Sequence, residues 1–176
     1  FDLGNLMDKD TILIHGGGGG VGTAAIQLAS TLDVKIITTA SHWKHEKLFS
    51  LGASHCIDYY KDDIIEKVMK FTNNKGADLI IDPVGSKNWK KSYKLLNKMG
   101  KLIIYGNQNL VSGYKINPLN TIRELMSMPK YRPMNLMSSN KNIMGFHLGR
   151  LRGAEWKIQR ALVKLKSLIE KNGIKP

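Results

Sequence analysis

The sequence has only one cysteine, Cys56, among its 176 residues. A single thiol cannot close an internal disulfide, and a structural zinc site built from several cysteines is also excluded. No apolar run approaches the roughly 20 residues that a membrane-spanning helix requires. The sequence begins at Phe1 rather than Met, and no basic-then-apolar signal peptide follows. We therefore expect a cytoplasmic domain that belongs to a longer reading frame.

Acidic residues are scarce in the second half of the sequence. Residues 1–88 carry 9 Lys and Arg against 11 Asp and Glu, whereas residues 89–176 carry 18 against 3, and the net charge is +13. Such asymmetry is typical either of a surface for nucleic acid or anionic membrane, or of a lysine-rich face that is simply solvated. No basic run is dense or interleaved with aromatic residues, so no nucleic-acid partner is expected.

Short β-rich runs alternate with helical patterns along the first two-thirds of the sequence. Strands are predicted at Thr11–His15, Val34–Thr39, His55–Asp58, Ala77–Asp82, Lys101–Tyr105 and Ile143–Leu148. Helices are predicted at Val21–Leu32, Lys44–Leu51, Asp62–Phe71, Asn88–Asn97, Pro118–Met128 and Ala154–Lys171, with residues 129–140 as a loop or partial helix. This order predicts an α/β fold, a doubly wound parallel-sheet Rossmann fold of about six strands with helices on both faces.

Five consecutive glycines, Gly16–Gly20, follow the first predicted strand and lead through Val21 into a predicted helix. Gly17, Gly19 and Gly22 satisfy the pattern G-x-G-x-x-G. In that pattern one glycine makes the tight turn, one lets a pyrophosphate approach the backbone, and one lets the helix pack closely on the sheet. The phosphates would lie at the helix N-terminus, where N–H groups and the helix dipole favour anions. A glycine run can also be a flexible linker, but the flanking strand and helix favour dinucleotide binding.

The end of the second predicted strand carries no acidic residue. NAD usually requires an Asp or Glu about 20 residues past the glycine loop, where the carboxylate binds the ribose hydroxyls. Here the sequence instead offers the Ser41 hydroxyl and the Lys44 ammonium, with His42 and His45 beside them. A phosphate prefers such donors, so the sequence predicts NADP(H) rather than NAD(H). The alternative interpretation of Lys44 is an exposed lysine at a helix start.

Four segments together resemble one family: HGGGGGVGTAAIQLA, TASHWKHEKLFSLGASHCIDY, DLIIDPVGS and KLIIYG. They are similar to the quinone oxidoreductase branch of the medium-chain dehydrogenases/reductases. Within that branch, TASHWKHEKL and NIMGFHLGRL most resemble the vesicle amine transport protein group of synaptic vesicle membrane proteins. The resemblance extends over the whole chain.

The resemblance implies a set of cofactor contacts. It places the phosphate loop on Gly17–Gly22, with Gly17 where the branch usually has Ala, and it places the 2′-phosphate beside Lys44 and Tyr59. The segment after the fourth strand would border the nicotinamide ribose, the segment after the fifth would lie in the cofactor cleft, and residues 146–148 would approach the carboxamide. The predicted cofactor-binding set is Gly17, Gly19, Gly20, Val21, Gly22, Ser41, Lys44, Tyr59, Val84, Gly85, Tyr105, Gly106, Asn107, Phe146, His147 and Leu148.

We therefore interpret residues 1–176 as the NADP(H)-binding domain of a reductase that acts on quinones or conjugated carbonyls. The branch lacks catalytic zinc, and the histidines here are scattered, so no metal is expected. The branch also carries a GroES-like catalytic domain that this chain lacks. Hydride transfer needs the substrate held close to the nicotinamide and shielded from water, so the isolated domain is expected to be inactive, and no catalytic residue is assigned.

The alternative function is a membrane-associated binding or scaffold protein that uses the same fold. The predicted helix Ala154–Lys171 carries five basic residues, Lys157, Arg160, Lys164, Lys166 and Lys171, which suit an anionic membrane surface. The fold also needs this helix to cover its sheet, through Ile158, Leu162, Leu165 and Ile169. Weak, salt-sensitive contact with membranes and a homodimer of the full-length protein both stay open.

The single cysteine and four methionines of the second half are expected to have structural roles. Cys56 lies on a predicted buried strand, where a free thiol behaves as a small hydrophobe. Met126, Met128, Met134 and Met137 are predicted to fill an irregular core or to contact a missing domain, with an adaptable hydrophobic surface as the alternative.

Overall fold

The computed structural model describes residues 4–110, 118–172 and 174. The strands are β1 (Thr11–His15), β2 (Lys35–Ala40), β3 (His55–Asp58), β4 (Ala77–Asp82), β5 (Leu96–Ile104) and β6 (Asn142–Gly145). The α-helices are α1 (Gly20–Ala29), α2 (His45–Ser50), α3 (Ile64–Phe71), α4 (Ser86–Lys94), α5 (Pro118–Ser127), α6 (Pro133–Ser139) and α7 (Glu155–Asn172). Short 3₁₀ helices lie at His42–Lys44, Gln108–Leu110 and Leu148–Arg150.

The strands form one parallel sheet in the order β3-β2-β1-β4-β5-β6. β1 lies at its centre, with Leu13 opposite Ile37 of β2 on one side and opposite Ile80 of β4 on the other. The strand order reverses between β1 and β4, and such a reversal opens a crevice at the carboxyl ends of the strands. The predicted α/β doubly wound fold is therefore confirmed.

Helices cover both faces of the sheet. On one face, α1 and α2 contribute Ile26 and Leu48 to a cluster that includes Ile12 of β1. On the opposite face, α3 contributes Val68 to a cluster that includes Leu13 of β1. Successive residues of β1 thus enter different clusters, as expected for a strand that is buried on both sides.

An aspartate cap fixes the start of α3, and a glycine follows the end of α2. Asp63 caps α3, since its carboxylate accepts the N–H groups of Ile65 at 2.8 Å and Glu66 at 3.0 Å. The helix therefore starts two residues later than predicted, because Asp63 rather than a preceding residue is the cap. Gly52 follows the end of α2 and has a φ of +109°, a conformation that favours glycine.

The boundaries between α4 and β5 differ from the prediction. The helix predicted at Asn88–Asn97 ends at Lys94, and the strand predicted to begin at Lys101 begins at Leu96. Leu96 pairs with Ala77, and a register shift then absorbs the extra residues before the regular ladder resumes. Pairing with β4 overrides the local helical pattern, which is a weak determinant by comparison with tertiary contacts.

The segment that precedes the last strand is more ordered than predicted. Residues 129–140 contain α6, which has a proline in its first turn and ends at Asn140 in the left-handed conformation, with a φ of 51°. A proline at a helix start costs no hydrogen bond, so it begins this helix rather than preventing it. β6 ends at Gly145, so the predicted strand residues Phe146–Leu148 lie beyond it.

Apolar side chains of the last third are exposed. Met126, Met134 and Met137 are 83%, 70% and 69% exposed, so the prediction that they fill a core is wrong. Leu162 of α7 is 58% exposed and Ile169 is also exposed, so the apolar face of α7 does not cover the sheet as predicted. Helical periodicity identifies an apolar face but not the surface that covers it.

Cys56 is half-buried rather than buried, and burial raises the pKa of its thiol to about 11. Among the helices of residues 4–110 and 118–172, none is both long and apolar enough to cross a membrane.

Candidate cofactor-binding site

The glycine loop joins the end of β1 to the start of α1. Gly16 turns the chain with a φ of +69°, and its N–H donates to Thr39 Oγ1 at 3.2 Å. The next N–H, from Gly17, donates to the Thr39 carbonyl at 3.0 Å. Gly19 is the N-cap of α1, and no side chain of the described part of the chain caps that end. The first N–H groups of α1 therefore remain available to an anion.

The glycines of the loop are of two kinds. A Cβ on Gly22 would lie 2.6 Å from Gly17 Cα, and a Cβ on Gly17 would lie 3.0 Å from Thr38 Cβ. Gly22 must therefore be glycine for α1 to pack against the loop backbone, whereas a Cβ at Gly17 would require the Thr38 side chain to move. By contrast, a Cβ on Gly19 would meet its nearest atom, a backbone oxygen, at 3.4 Å, and one on Gly20 has no atom within 4 Å. Packing within the described residues does not require glycine at Gly19 or Gly20. The open space beside these two residues is therefore where a ligand would approach the backbone.

Lys44 extends from the start of α2 back to the glycine loop. Its ammonium donates to the Gly18 carbonyl at 3.0 Å and lies 4.8 Å from the centroid of the exposed Trp43 ring. The ion pairs found in the described residues use other lysines. Lys44 thus brings a positive charge to the side of the loop that faces β2. Its ammonium forms no ion pair with a carboxylate of the described residues.

Ser41 and Tyr59 meet at the carboxyl ends of β2 and β3. The Ser41 hydroxyl lies 2.9 Å from the Tyr59 hydroxyl. The hydrogen bond with Ser41, followed by one with Tyr60, lowers the pKa of Tyr59, and the charge of Lys44 acts in the same direction. Three predicted 2′-phosphate contacts, Ser41, Lys44 and Tyr59, therefore share one corner of the crevice.

The opposite wall of the crevice consists of the turns after β4 and β5. The buried Asp82 carboxylate accepts the Val84 N–H at 2.8 Å and so shapes the first turn. The second turn is bonded to the first, because the Gln108 N–H donates to the Pro83 carbonyl at 2.9 Å and the Asn109 N–H to the Val84 carbonyl at 3.1 Å. The two turns therefore form one unit, to which the predicted residues Val84, Gly85, Tyr105, Gly106 and Asn107 all belong.

Gly85 and Asn107 lie close together in this unit. Gly85 has a φ of +142°, and a Cβ there would lie 2.8 Å from the side-chain oxygen of Asn107. The Asn107 amide interacts with the Glu124 carboxylate, but neither of its buried polar atoms makes a hydrogen bond of regular geometry among the described residues. Incomplete hydrogen bonding of a buried polar group costs free energy, so Asn107 is a group that a polar ligand would stabilise further. Tyr105 is half-buried, and burial followed by the charge of Asp82 raises its pKa to about 12.

Phe146, His147 and Leu148 follow β6 at the same edge of the sheet. The Phe146 N–H donates to the Ile104 carbonyl at 2.8 Å, which places this segment beside the end of β5. Leu148 is exposed. The segment thus lies next to Tyr105, but it is separated from the glycine loop by the widths of β4 and β5.

The sequence did not identify two ionisable side chains that the fold places near the crevice, the acidic Glu124 and the basic His15. The Glu124 carboxylate accepts the Ser86 N–H at 2.6 Å, at the start of α4. Burial opposes the ionisation of Glu124, but the Ser86 N–H and neighbouring amides outweigh it and hold the pKa of Glu124 below its usual value. The two residues are 38 apart in the sequence, and no local pattern joins them. His15 was visible only as a polar residue at the end of an apolar strand.

The described residues contain no group of three or more His, Cys, Asp or Glu side chains that could hold a metal ion. His42 lies on the 3₁₀ helix His42–Lys44 and His45 begins α2; their ring centroids are 5.2 Å apart and the rings pack edge to face. The donor set in these ranges therefore does not fit a zinc centre.

Comparison with known proteins places these features in a family. The family described as zinc-binding dehydrogenase matches residues 20–164. The human synaptic vesicle membrane protein VAT-1 homolog is 37% identical over the whole chain, which spans 45% of that protein. The crystal structure of the human VAT-1 homolog-like protein has a TM-score of 0.75 at 29% identity and covers 100% of this chain and 46% of its own.

The Escherichia coli quinone oxidoreductase complexed with NADPH also shares the fold, with a TM-score of 0.75 at 24% identity over 97% of this chain and 48% of its own. The chain thus spans about half the length of the relatives that it matches. These matches confirm the resemblance that the glycine loop and the neighbouring motifs indicated.

Proposed function

We propose that this chain, which belongs to the zinc-binding dehydrogenase family, is the NADP(H)-binding domain of a zinc-independent oxidoreductase that reduces quinones or related conjugated carbonyls. The single observation that carries the proposal is the division of the loop glycines. Gly17 and Gly22 lie in close packing contact with β2 and with the loop backbone, whereas Gly19 and Gly20 border open space at the uncapped start of α1. Open space above available N–H groups is what a pyrophosphate needs.

The choice of NADP(H) rests on the corner formed by Ser41, Lys44 and Tyr59. A hydroxyl pair 2.9 Å apart and a nearby ammonium provide donors for a phosphate. The buried acid closest to them in sequence, Asp58, already accepts the Tyr60 N–H at 3.0 Å. A 2′-phosphate at this corner would therefore meet positive charge and hydroxyl donors. The E. coli quinone oxidoreductase with the same fold was solved with NADPH, which supports this choice.

The chemistry supplied by bound NADPH would be donation of a hydride from its nicotinamide. The chain's own residues would bind and orient. The α1 N-terminus would hold the pyrophosphate, Lys44 would hold the 2′-phosphate, and the turn at Val84–Gly85 would border the nicotinamide ribose. Asn107 would pair its buried amide with a polar group of the ligand, and Phe146, His147 and Leu148 would border the carboxamide. The family name refers to zinc, but no step here is assigned to a metal, because the described donor groups do not fit one.

The residues that contact the substrate, and the second wall of the site, would belong to another part of the full-length protein, a GroES-like catalytic domain. Exposed apolar side chains on α5, α6 and α7, including Met126, Met134 and Leu162, offer surface for such a contact. β3 and β6 lie at the two ends of the sheet order, and their outer edges are the places where a second copy of the full-length protein would extend the sheet in a homodimer.

A second candidate function is favoured by one observation, the exposure of the basic side chains of α7. Lys157, Arg160, Lys166 and Lys171 are all exposed, and relatives are named as synaptic vesicle membrane proteins. Each basic residue near an anionic surface contributes about 1 kcal/mol. Weak peripheral adsorption of an otherwise cytoplasmic protein would follow from this charge.

The test of the main proposal is NADPH oxidation with a quinone, measured for the full-length protein and for this chain alone, together with NADPH binding by both. We expect both to bind NADPH and only the full-length protein to turn over the quinone. Robust turnover by the chain alone would show that the crevice needs no second wall. Absence of NADPH binding by both proteins would overturn the function itself.

A further inference from the structure

A buried chain of hydrogen bonds joins the glycine loop to the turn after β4. It runs from the Gly16 N–H through the side chains of Thr39, His15 and Ser92 to Asp82. Its successive distances are 3.2 Å, 3.3 Å, 3.1 Å and 2.6 Å. Each of the four side chains is at most 3% exposed. Such a chain in an apolar interior is costly unless every member is satisfied.

The direction of each hydrogen bond in this chain can be assigned from the donors and acceptors. The Asp82 carboxylate accepts from three donors: the Val84 N–H, the Asn88 amide and the Ser92 hydroxyl. The Ser92 hydrogen is therefore committed to Asp82, at a distance of 2.6 Å that is typical of a charge-assisted bond. Ser92 Oγ must then accept the hydrogen bond from His15, so His15 carries its proton on Nε2.

The hydrogen bonds at the Thr39 end of the series agree with this tautomer. The Gly16 N–H can only donate, so Thr39 Oγ1 accepts from it and keeps its own hydrogen for an unprotonated His15 Nδ1. A neutral His15 with its proton on Nε2 therefore uses both ring nitrogens, one as a donor and one as an acceptor. Burial lowers the pKa of His15, against the opposing charge of Asp82, and the charge of Lys91 lowers it further. The neutral form is therefore the one that the surroundings favour.

The two ends of this chain belong to different halves of the crevice. Thr39 holds Gly16 through its side chain and Gly17 through its carbonyl, so it sets the position of the glycine loop. Asp82 holds Val84, so it sets the position of the turn on the opposite wall. His15 is the link between them, and it spans the point where the strand order reverses.

We propose that His15 is a positioning residue that fixes the spacing between the glycine loop and the Val84–Gly85 turn, so that one dinucleotide can occupy both. The proposal rests on the proposed function, since it takes the two walls to hold the two halves of NADP(H). It predicts that His15 matters for a ligand that spans the crevice and not for a ligand that occupies only one wall.

The test compares NADPH with its adenosine half, 2′-phospho-ADP, by calorimetric titration of the wild-type chain and of three variants. His15→Phe removes both hydrogen bonds at similar ring size, and Thr39→Val removes the hydroxyl that Thr39→Ser retains. We expect His15→Phe and Thr39→Val to weaken NADPH by about tenfold, the equivalent of one or two neutral hydrogen bonds. His15→Phe should change the affinity for 2′-phospho-ADP by less than about twofold. Thr39→Val also removes the acceptor of the Gly16 N–H, so it should weaken both ligands but NADPH more, and Thr39→Ser should restore the wild-type affinities.

The outcomes separate the positioning role from general damage and from the proposed function. Equal weakening of NADPH and 2′-phospho-ADP would mean that His15 only supports the fold, and unchanged NADPH affinity would mean that the link has no role in binding. Either result overturns the proposal. Wild-type chain that binds neither ligand would overturn the proposed function instead. Thr39→Val and Thr39→Ser keep the comparison available if His15→Phe does not fold, and thermal unfolding of each variant establishes that it is folded.

Discussion

Replacing Gly19 with valine separates ligand binding from folding. Gly19 has a φ of −94° and a ψ of 169°, which valine adopts readily, and its Cβ would have no contact shorter than 3.4 Å. A non-polar N-cap costs roughly 1 kcal/mol, and the loss of a glycine from the unfolded chain returns about 0.4–1 kcal/mol. The net change in the free energy of unfolding is therefore within about 1 kcal/mol, which is a shift in Tm of about 2–4 °C for a chain of this size.

The same valine should remove most of the affinity for NADPH, because its methyl groups would occupy the space in front of the α1 N-terminus. If two charge-assisted hydrogen bonds to phosphate are lost, at roughly 1.5 kcal/mol or more each, affinity falls at least about a hundredfold. Gly22→Ala is the matched control, since its Cβ would lie 2.6 Å from Gly17 Cα. Overpacking of that kind costs about 1–3 kcal/mol and should lower Tm by about 2–12 °C.

Calorimetric titration with NADPH and thermal unfolding of both variants provide the assay. The reasoning predicts a stable Gly19→Val chain without NADPH affinity and a destabilised Gly22→Ala chain. It is refuted if Gly19→Val binds NADPH like the wild type. It is also refuted if Gly22→Ala is as stable as the wild type, because the loop would then not be packed as described.

Three other predictions concern charge. Glu124→Gln should lower the free energy of unfolding in urea by roughly 1 kcal/mol, because the N–H of Ser86 at the start of α4 loses a negatively charged acceptor; an unchanged urea midpoint would contradict this. Because burial lowers the pKa of His15 from its ordinary 6.5, the unfolded chain takes up the proton first as the pH falls. Stability should therefore be lost below about pH 6.5, and Tm measured between about pH 7 and pH 5 should fall less steeply for His15→Gln than for the wild type, with equal slopes as the contrary result. Finally, the exposed basic residues of α7 predict weak adsorption to anionic liposomes that high salt removes. Binding that persists in high salt would require apolar residues to enter the bilayer, and no binding at low salt would leave the charge as a solvated face.

Much of the fold could be predicted from the sequence because glycine and proline punctuate it. β1, β3 and β4 have the predicted bounds, since β1 is a short apolar run that stops at Gly16 and β4 is one that stops at Pro83. The start of β5 could not be predicted, because Leu96 joins the sheet through its pairing with Ala77. That pairing is tertiary, and the local pattern there is helical.

The candidate site was predictable to the extent that its chemistry is local in sequence. The glycine loop and Lys44 follow from spacing and from the absence of an acid after β2. The hydrogen bonds of His15 were not predictable, because Ser92 is 77 residues away and no periodicity connects them. The exposure of Met126 and Leu162 was not predictable either, since an apolar pattern does not specify what covers it.

The central claim, that this crevice holds NADP(H) through Lys44, is tested most directly by titrating NADPH and NADH into the wild-type chain, Lys44→Ala and Lys47→Ala. Lys47 is an exposed lysine on α2, three residues after Lys44, and serves as the control. A charged hydrogen bond to phosphate contributes roughly 1.5–3 kcal/mol, so NADPH should bind the wild type at least about tenfold more tightly than NADH. Lys44→Ala should lose most of that preference without changing the affinity for NADH, and Lys47→Ala should match the wild type. Equal affinities of the wild type for the two cofactors, or equal weakening of both by Lys44→Ala, would contradict the claim.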